Sequence, residues 1–130
     1  MINVRTDASQ LAAKFRQRAE RLGGALKAGL RTVAAQIDRY QVENLRGADS
    51  ADPGDYPVPA RTGHLLGTHF WDVKSETFAV VGNTAEYAVD IHEGRGSSAP
   101  HGRRPFLDDA AEAVDGVEIM VVELRKEVLA

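Results

Sequence analysis

Between residues 8 and 46 the apolar side chains Leu11, Phe15, Leu22, Leu26, Val33 and Ile37 recur at intervals of 4, 7, 4, 7 and 4. Members eleven apart return at about 3.67 residues per turn, which predicts one straight helix with a single apolar stripe. Leu30, Tyr40 and Leu45 widen that stripe, while Lys14, Arg16, Arg18, Arg21, Arg31, Arg39 and Arg46 fall mainly on the other faces. Asp7 or Ser9 can cap its start by accepting from the exposed N–H groups. Gly23-Gly24 is the weak point: two glycines cost about 2 kcal/mol relative to alanines, so a kink or break is expected there. A helix of nearly 40 residues is about 58 Å long, more than a compact domain of this size needs. Part of it therefore projects or packs on another chain.

Beyond residue 46 the chain reads as shorter, more broken elements. Residues 47–60 carry three prolines, two glycines and three aspartates, which make turns and forbid a central strand. Asp49, Asp52 and Asp55 lie three apart, without the alternate-residue spacing and terminal Glu of a calcium loop, so a solvated acidic loop is the expectation. Arg61 to Thr68 begins with a turn and has room for one helical turn. Two strands are predicted over 70–75 and 77–82, with Trp71/Val73 and Phe78/Val80 on a buried face and a turn near Ser75-Glu76. Residues 84–93 suit a short helix with Tyr87, Ala88 and Ile91 on one side, and 94–104 a Gly/Ser-rich loop. From Pro105 to 129 a last helix is predicted. Leu107, Ala110, Val114, Val117, Val121, Leu124 and Val128 form a heptad stripe, and Asp108 and Asp109 sit in the first turn. The run 117–122 has strand-like propensity and Gly116 weakens the helix, but the regular stripe favours helix. The expected fold is α+β, one domain over 1–130: a long N-terminal helix, a short antiparallel sheet over 61–104 and a C-terminal helix packed on it.

Composition removes several chemistries. The chain has no cysteine, which excludes disulfides, thiolate catalysis, Fe–S clusters and Cys-containing zinc sites. Nothing approaches the roughly 18 apolar residues of a membrane span, and the N-terminus lacks a signal-peptide core, so a soluble protein made in the cytoplasm is expected. His64, His69, His92 and His101 lack metal-ligand spacing; His92-Glu93 is followed by Gly96 where a second zinc-binding His would stand. No serine sits in a nucleophile elbow, and no phosphate-cradling loop is present. The expectation is no catalysis, no cofactor and no metal. The net charge of −3 hides a split, however: residues 1–50 carry nine basic and five acidic side chains, and residues 51–130 seven and fourteen. A basic helix can neutralise DNA phosphates, so a DNA-binding accessory protein is one reading. Two unlike faces that meet complementary neighbours are the other, and the acidic balance of the whole chain favours it.

Small motifs from 59 to 110 occur in a particular order. Arg61-Thr62-Gly63-His64-Leu65 is followed by the strand pair ending in Val-Val-Gly82. Glu86-Tyr87-Ala88 then leads to His92-Glu93-Gly94, and after a Gly/Ser-rich loop comes Arg104-Pro105-Phe106-Leu107. This order resembles the neck and minor tail component family of long-tailed bacteriophages, the tail-completion group with tail protein Z-like members, over residues 55–112. The chain departs from the family pattern at Arg95, where Thr is usual after the Gly, and at Leu66, where a basic residue is usual. It also resembles the related virion-morphogenesis proteins of contractile-tailed phages.

The resemblance implies a structural virion protein, located in the neck or tail and assembled in the host cytoplasm, for a phage or prophage. Its subunits form a ring, commonly hexameric, at the head–tail joint. Its partners are its own copies, the head-closure or connector proteins, and the tail terminator or tail tube; DNA passes through the lumen without specific binding, and no membrane is involved. Thr62, Gly63, Leu65, Gly82, Tyr87, Ala88, Glu93, Gly94, Arg104, Pro105, Phe106 and Leu107 are the family-motif positions. Gly63, Gly82 and Gly94 are expected at tight turns, and Tyr87 with a buried ring and its hydroxyl at the rim. Arg104 is expected to bond a loop carbonyl or Glu93, Pro105 to set the start of the last helix, and Phe106 with Leu107 to anchor it in the core.

Overall fold

The periodicity of the first third is realised as one element. In the computed structural model, which describes residues 8–46, 64–95 and 102–129, helix α1 runs from Ala8 to Leu45 without a break at Gly23-Gly24. The face it buries differs from the expected stripe. Gly23, Ala25, Gly29, Ala34, Asp38, Gln41 and Leu45 are the buried residues, whereas Leu11, Phe15 and Leu22 are 44%, 64% and 40% exposed. Small side chains explain the choice, because they leave room for side chains from other elements to lie against the helix. A Cβ on Gly29 would lie 2.5 Å from Sδ of Met120, and the Glu76 carboxylate lies over Gly23. From residue 8 to 22 every residue except Ala12 is exposed, so this stretch projects beyond the packed body.

The sheet and the helices that flank it among the described residues pack against α1. A single turn, α2 (His64–Gly67), leads into strands β1 (His69–Val73) and β2 (Ala79–Asn83), which pair antiparallel with His69 opposite Asn83 and Val73 opposite Ala79. The turn between them is closed by the Lys74 and Ser75 N–H groups, both donating to the Phe78 carbonyl. Residues directly opposite share a face. The face of His69, Trp71, Val73, Ala79, Val81 and Asn83 meets α1, since His69 bonds Asp38 and Asn83 bonds Gln41. The β1 half of the expected stripe is therefore right and the β2 half is one residue out: Val80 lies with Asp72 on the outer face, and Phe78, outside the strand, is 57% exposed. A short sheet with one helix to cover it buries its inner face only in part, and Trp71 remains 40% exposed.

Helix α3 (Ala88–Glu93) comes next, and the expected C-terminal helix is two helices, α4 (Phe106–Glu112) and α5 (Gly116–Val128). The interruption has a local cause. The Asp115 side chain accepts from the Glu118 N–H at 3.0 Å, a cap that starts a new helix rather than continuing the old one. The restart also turns the stripe. Gly116 meets Val33, and Met120 and Glu123 meet Gly29, so α5 runs antiparallel to α1 on those residues. Val117 and Val121, which continue the sequence heptad, are left 76% and 38% exposed. The sheet and the C-terminal helices both pack on α1, so the layering expected between helix and sheet runs mainly through α1. The core closes at the C-terminal end of α1, where Leu45, Leu65, Ala85, Ala88 and Phe106 pack together with Leu66, Ile91 and Leu107 at their margin. The architecture is α+β.

Candidate functional site

The motif residues from 87 to 107 converge on the junction between α3 and α4. Gly94 ends α3 in the left-handed region, φ 66°, with its N–H on the Ile91 carbonyl. A Cβ there would meet the Arg103 backbone, 2.8 Å from its N. The chain returning at 102–105 thus runs hard against Gly94, and the Arg104 N–H donates to the Ile91 carbonyl at 3.3 Å. Pro105 precedes the first turn of α4, Phe106 is fully buried, and the Asn44 side-chain amide donates to the Phe106 carbonyl at 3.1 Å. Ala88 is buried beneath, as expected for the inner side of α3. Phe106 and Leu107 anchor α4 as read from the sequence.

A polar ring surrounds this anchor. His92 Nδ1 bonds Glu93 Oε1 at 2.7 Å, its Nε2 lies 3.8 Å from Asp108 Oδ1, and its ring meets Phe106 edge-on at 5.2 Å. Arg103 bridges Glu93 and Asp108 at 3.7 and 3.6 Å. The guanidinium beside Glu93 is that of Arg103, whereas Arg104, expected to bond a loop carbonyl or Glu93, is buried. The Glu93 carboxyl is held below its ordinary range, first by the His92 hydrogen bond and then, against a desolvation penalty, by the nearby charges of Arg103, His92 and Arg95.

Other expectations are revised. Gly82 has no positive φ; it is extended, and its lack of a side chain makes room for the Phe70 ring, which a Cβ would meet at 2.8 Å. Tyr87 sits at the start of α3 and is 38% exposed rather than buried, because Ala88 and Ile91 occupy the inner side. Leu65 is buried in the core. Thr62 and Gly63 lie outside the described residues, as do Asp49, Asp52, Asp55 and His101. Among the described residues no group of three or more His, Asp or Glu is placed to hold a metal ion, and no helix is long and apolar enough to cross a membrane.

A second constellation escaped the sequence pattern. Gln41, fully buried, donates to Asp38 Oδ1 at 3.0 Å and to the Gly82 carbonyl at 3.2 Å, while His69 Nδ1 donates to Asp38 Oδ2 at 2.8 Å. Asn83 donates to the Leu65 carbonyl at 2.7 Å and accepts from the Ala85 N–H and the Thr68 hydroxyl. Among the described residues every buried side-chain nitrogen and oxygen has a partner, as expected of a network that fixes the sheet on α1. Its signal was present in the sequence as polar Asp38 and Gln41 four residues beyond Ala34 and Ile37, but helical spacing alone does not separate a buried amide from a surface one.

Both constellations are inward-facing or locally satisfied. The uncovered surface lies elsewhere: Leu11, Phe15 and Leu22 on the projecting part of α1, Trp71 and Phe78 at the sheet, and Val117, Val121 and Val122 on α5. Comparison of the chain with protein-family models, with curated proteins and with solved structures gives no match.

Proposed function

We propose that this chain is a structural subunit of a tailed phage or prophage virion, a tail-completion or head–tail joining protein that forms a ring with its own copies. The observation that carries the reading is the first half of α1. A lone subunit gains nothing from holding fifteen residues of helix in water with Leu11, Phe15 and Leu22 uncovered. An assembling subunit needs such a surface. The ordered motifs from Arg61 to Leu107 support the same reading, since the described ones build a rigid corner from which subunit surfaces can be presented. On this view Glu93, Gly94 and Phe106 maintain the fold, the ring joins the head-closure proteins to the tail end, and the reaction inventory is empty.

Purified full-length protein, examined by mass photometry and negative-stain electron microscopy, is expected to give closed rings and to bind head-closure or tail-terminator proteins on co-expression. Protein that remains monomeric and binds neither would overturn the reading. Exposed Lys14, Arg16, Arg18 and Arg21 favour DNA binding as the second reading. A salt-dependent gel shift near micromolar DNA affinity, lost on neutralising Arg18, Arg21 and Arg31, would replace the first reading with the second.

A further inference from the structure

We propose that the projecting half of α1 docks on the outer face of α5 in a second copy of this chain, through an apolar seam edged by opposite charges. The inference deepens the ring reading, on which it rests for its setting but not for its geometry. Among the described residues, two helices long enough to form a seam carry uncovered apolar side chains. On the arm, Leu11, Phe15 and Leu22 succeed one another at intervals of 4 and 7, which keeps them on one side of a helix. On α5, Val117 and Val121 are one turn apart, with Val122 beside them, on surface turned away from the Gly116–Met120–Glu123 line that meets α1.

Charge decides which surface the arm fits. Residues 8–22 carry four basic side chains and one acidic, a net +3. Lys14, Arg18 and Arg21, at intervals of 4 and 3, form a basic row along one edge of the Leu11–Phe15–Leu22 stripe. Residues 112–122, around Val117, Val121 and Val122, carry three exposed acidic side chains, Glu112, Asp115 and Glu118, and no basic one. Glu118 stands next to Val117 in the first turn of α5 and Glu112 ends α4, both exposed, whereas the basic pair Arg125 and Lys126 is confined to the far end of α5, where Lys126 is engaged with Glu123. Two arms would repel each other, and so would two α5 faces; arm on α5 brings basic row to acidic flank. Of the other exposed apolar side chains among the described residues, Trp71 and Phe78 lie where Asp72 is paired with Lys74, and Val89 lies on α3, a helix of six residues too short to match the arm.

The arm and its dock lie on different parts of the same subunit, so the contact is heterologous. Repeated around an axis it closes a ring; made reciprocally between two copies it gives a two-fold dimer.

The test uses two charge-reversed full-length proteins. The first carries Lys14→Glu, Arg18→Glu and Arg21→Glu; the second carries Glu112→Lys and Glu118→Lys. All five positions are exposed, so circular dichroism and melting should match the unmodified chain. Analytical ultracentrifugation of each variant alone is expected to show self-association weakened at least about tenfold. An equimolar mixture is expected to recover it, because each arm then finds a face of opposite charge. Phe15→Ser gives a charge-independent check and is expected to weaken assembly at low and at high salt alike. Variants that assemble as well as the unmodified chain, a mixture that recovers nothing, or an unmodified chain that stays monomeric at its solubility limit would each overturn the proposal. The ring reading separates cleanly: unaffected variants with rings intact leave the ring and remove this contact. A two-fold dimer that shows the full charge behaviour keeps the contact and removes the ring.

Discussion

Gly94 is the residue at which backbone geometry and packing make the same demand. Its positive φ alone costs a side-chain-bearing residue about 1–2 kcal/mol, and the Arg103 backbone fills the space a Cβ would take. Gly94→Ala is therefore expected to destabilise the fold by about 1–3 kcal/mol, read from the denaturant midpoint; a shift under about 0.5 kcal/mol would refute the packing argument. Next to it, Glu93 makes a prediction of sign. Its carboxyl titrates below the ordinary 4.5 because the His92 hydrogen bond and neighbouring positive charges favour the ionised form. A depressed folded value means the unfolded chain takes up its proton first as pH falls. The contact then favours the folded state at and above the ordinary carboxylate range, and that contribution disappears as pH drops through the lowered value. The stability gap between the unmodified chain and Glu93→Gln should be present at pH 7 and vanish in acid, and an NMR titration of Glu93 should show a midpoint below 4.5. A gap that widened on acidification would contradict the assignment of the His92 contact.

At the level of elements, the boundary between α4 and α5 depends on one side chain. Asp115→Ala removes the acceptor for the Glu118 N–H and is expected to cost about 1 kcal/mol, with amide exchange quickening in the first turn of α5 before anywhere else. The same boundary shows how far the sequence could be read. The 3-and-4 spacing from Leu107 to Val128 is real, and both halves are helical, but spacing reports a side of a helix and not what stands beside it. Asp115 and Gly116 restart the helix one register away, and Met120 replaces Val117 and Val121 as the side chain turned to α1. The first helix gives the parallel case. Its extent was legible from its periodicity, to within one residue at the C-terminal end, yet its apolar stripe is uncovered where no described element folds against it. Its buried line instead holds glycines and alanines, whose lack of bulk invites close contact but leaves little mark in a hydrophobic pattern. Phe106 and Leu107 were legible because a proline-led helix start with two large apolar residues behind it leaves few other arrangements. The Asp38–Gln41–His69–Asn83 network was not, because apart from the Asp38–Gln41 pair on one helix its partners lie 31 to 42 residues apart and only the tertiary fold brings them together.

For the whole molecule, packing divides the chain into a body and an arm, and the two should be separable by deletion. Removing residues 1–22 is expected to leave the melting temperature within a few degrees of the full chain, since the described part of that stretch is almost wholly exposed. Self-association should be lost in the same protein. A large drop in melting temperature would show instead that the arm supports its own body. There is also a mechanical consequence of a helix that continues through Gly23-Gly24. A helix packed along residues 23–45 and exposed from 8 to 22 is a cantilever about 22 Å long. A tilt of about 5° at the clamp, where Glu76 rests on Gly23, displaces the tip by about 2 Å, enough to shift which side chains it would meet. The angle at which one subunit addresses the next would then be written not in the contact itself but in the clamp, so that a bulkier residue at Gly23 could change the number of subunits in a closed assembly without touching any subunit–subunit contact.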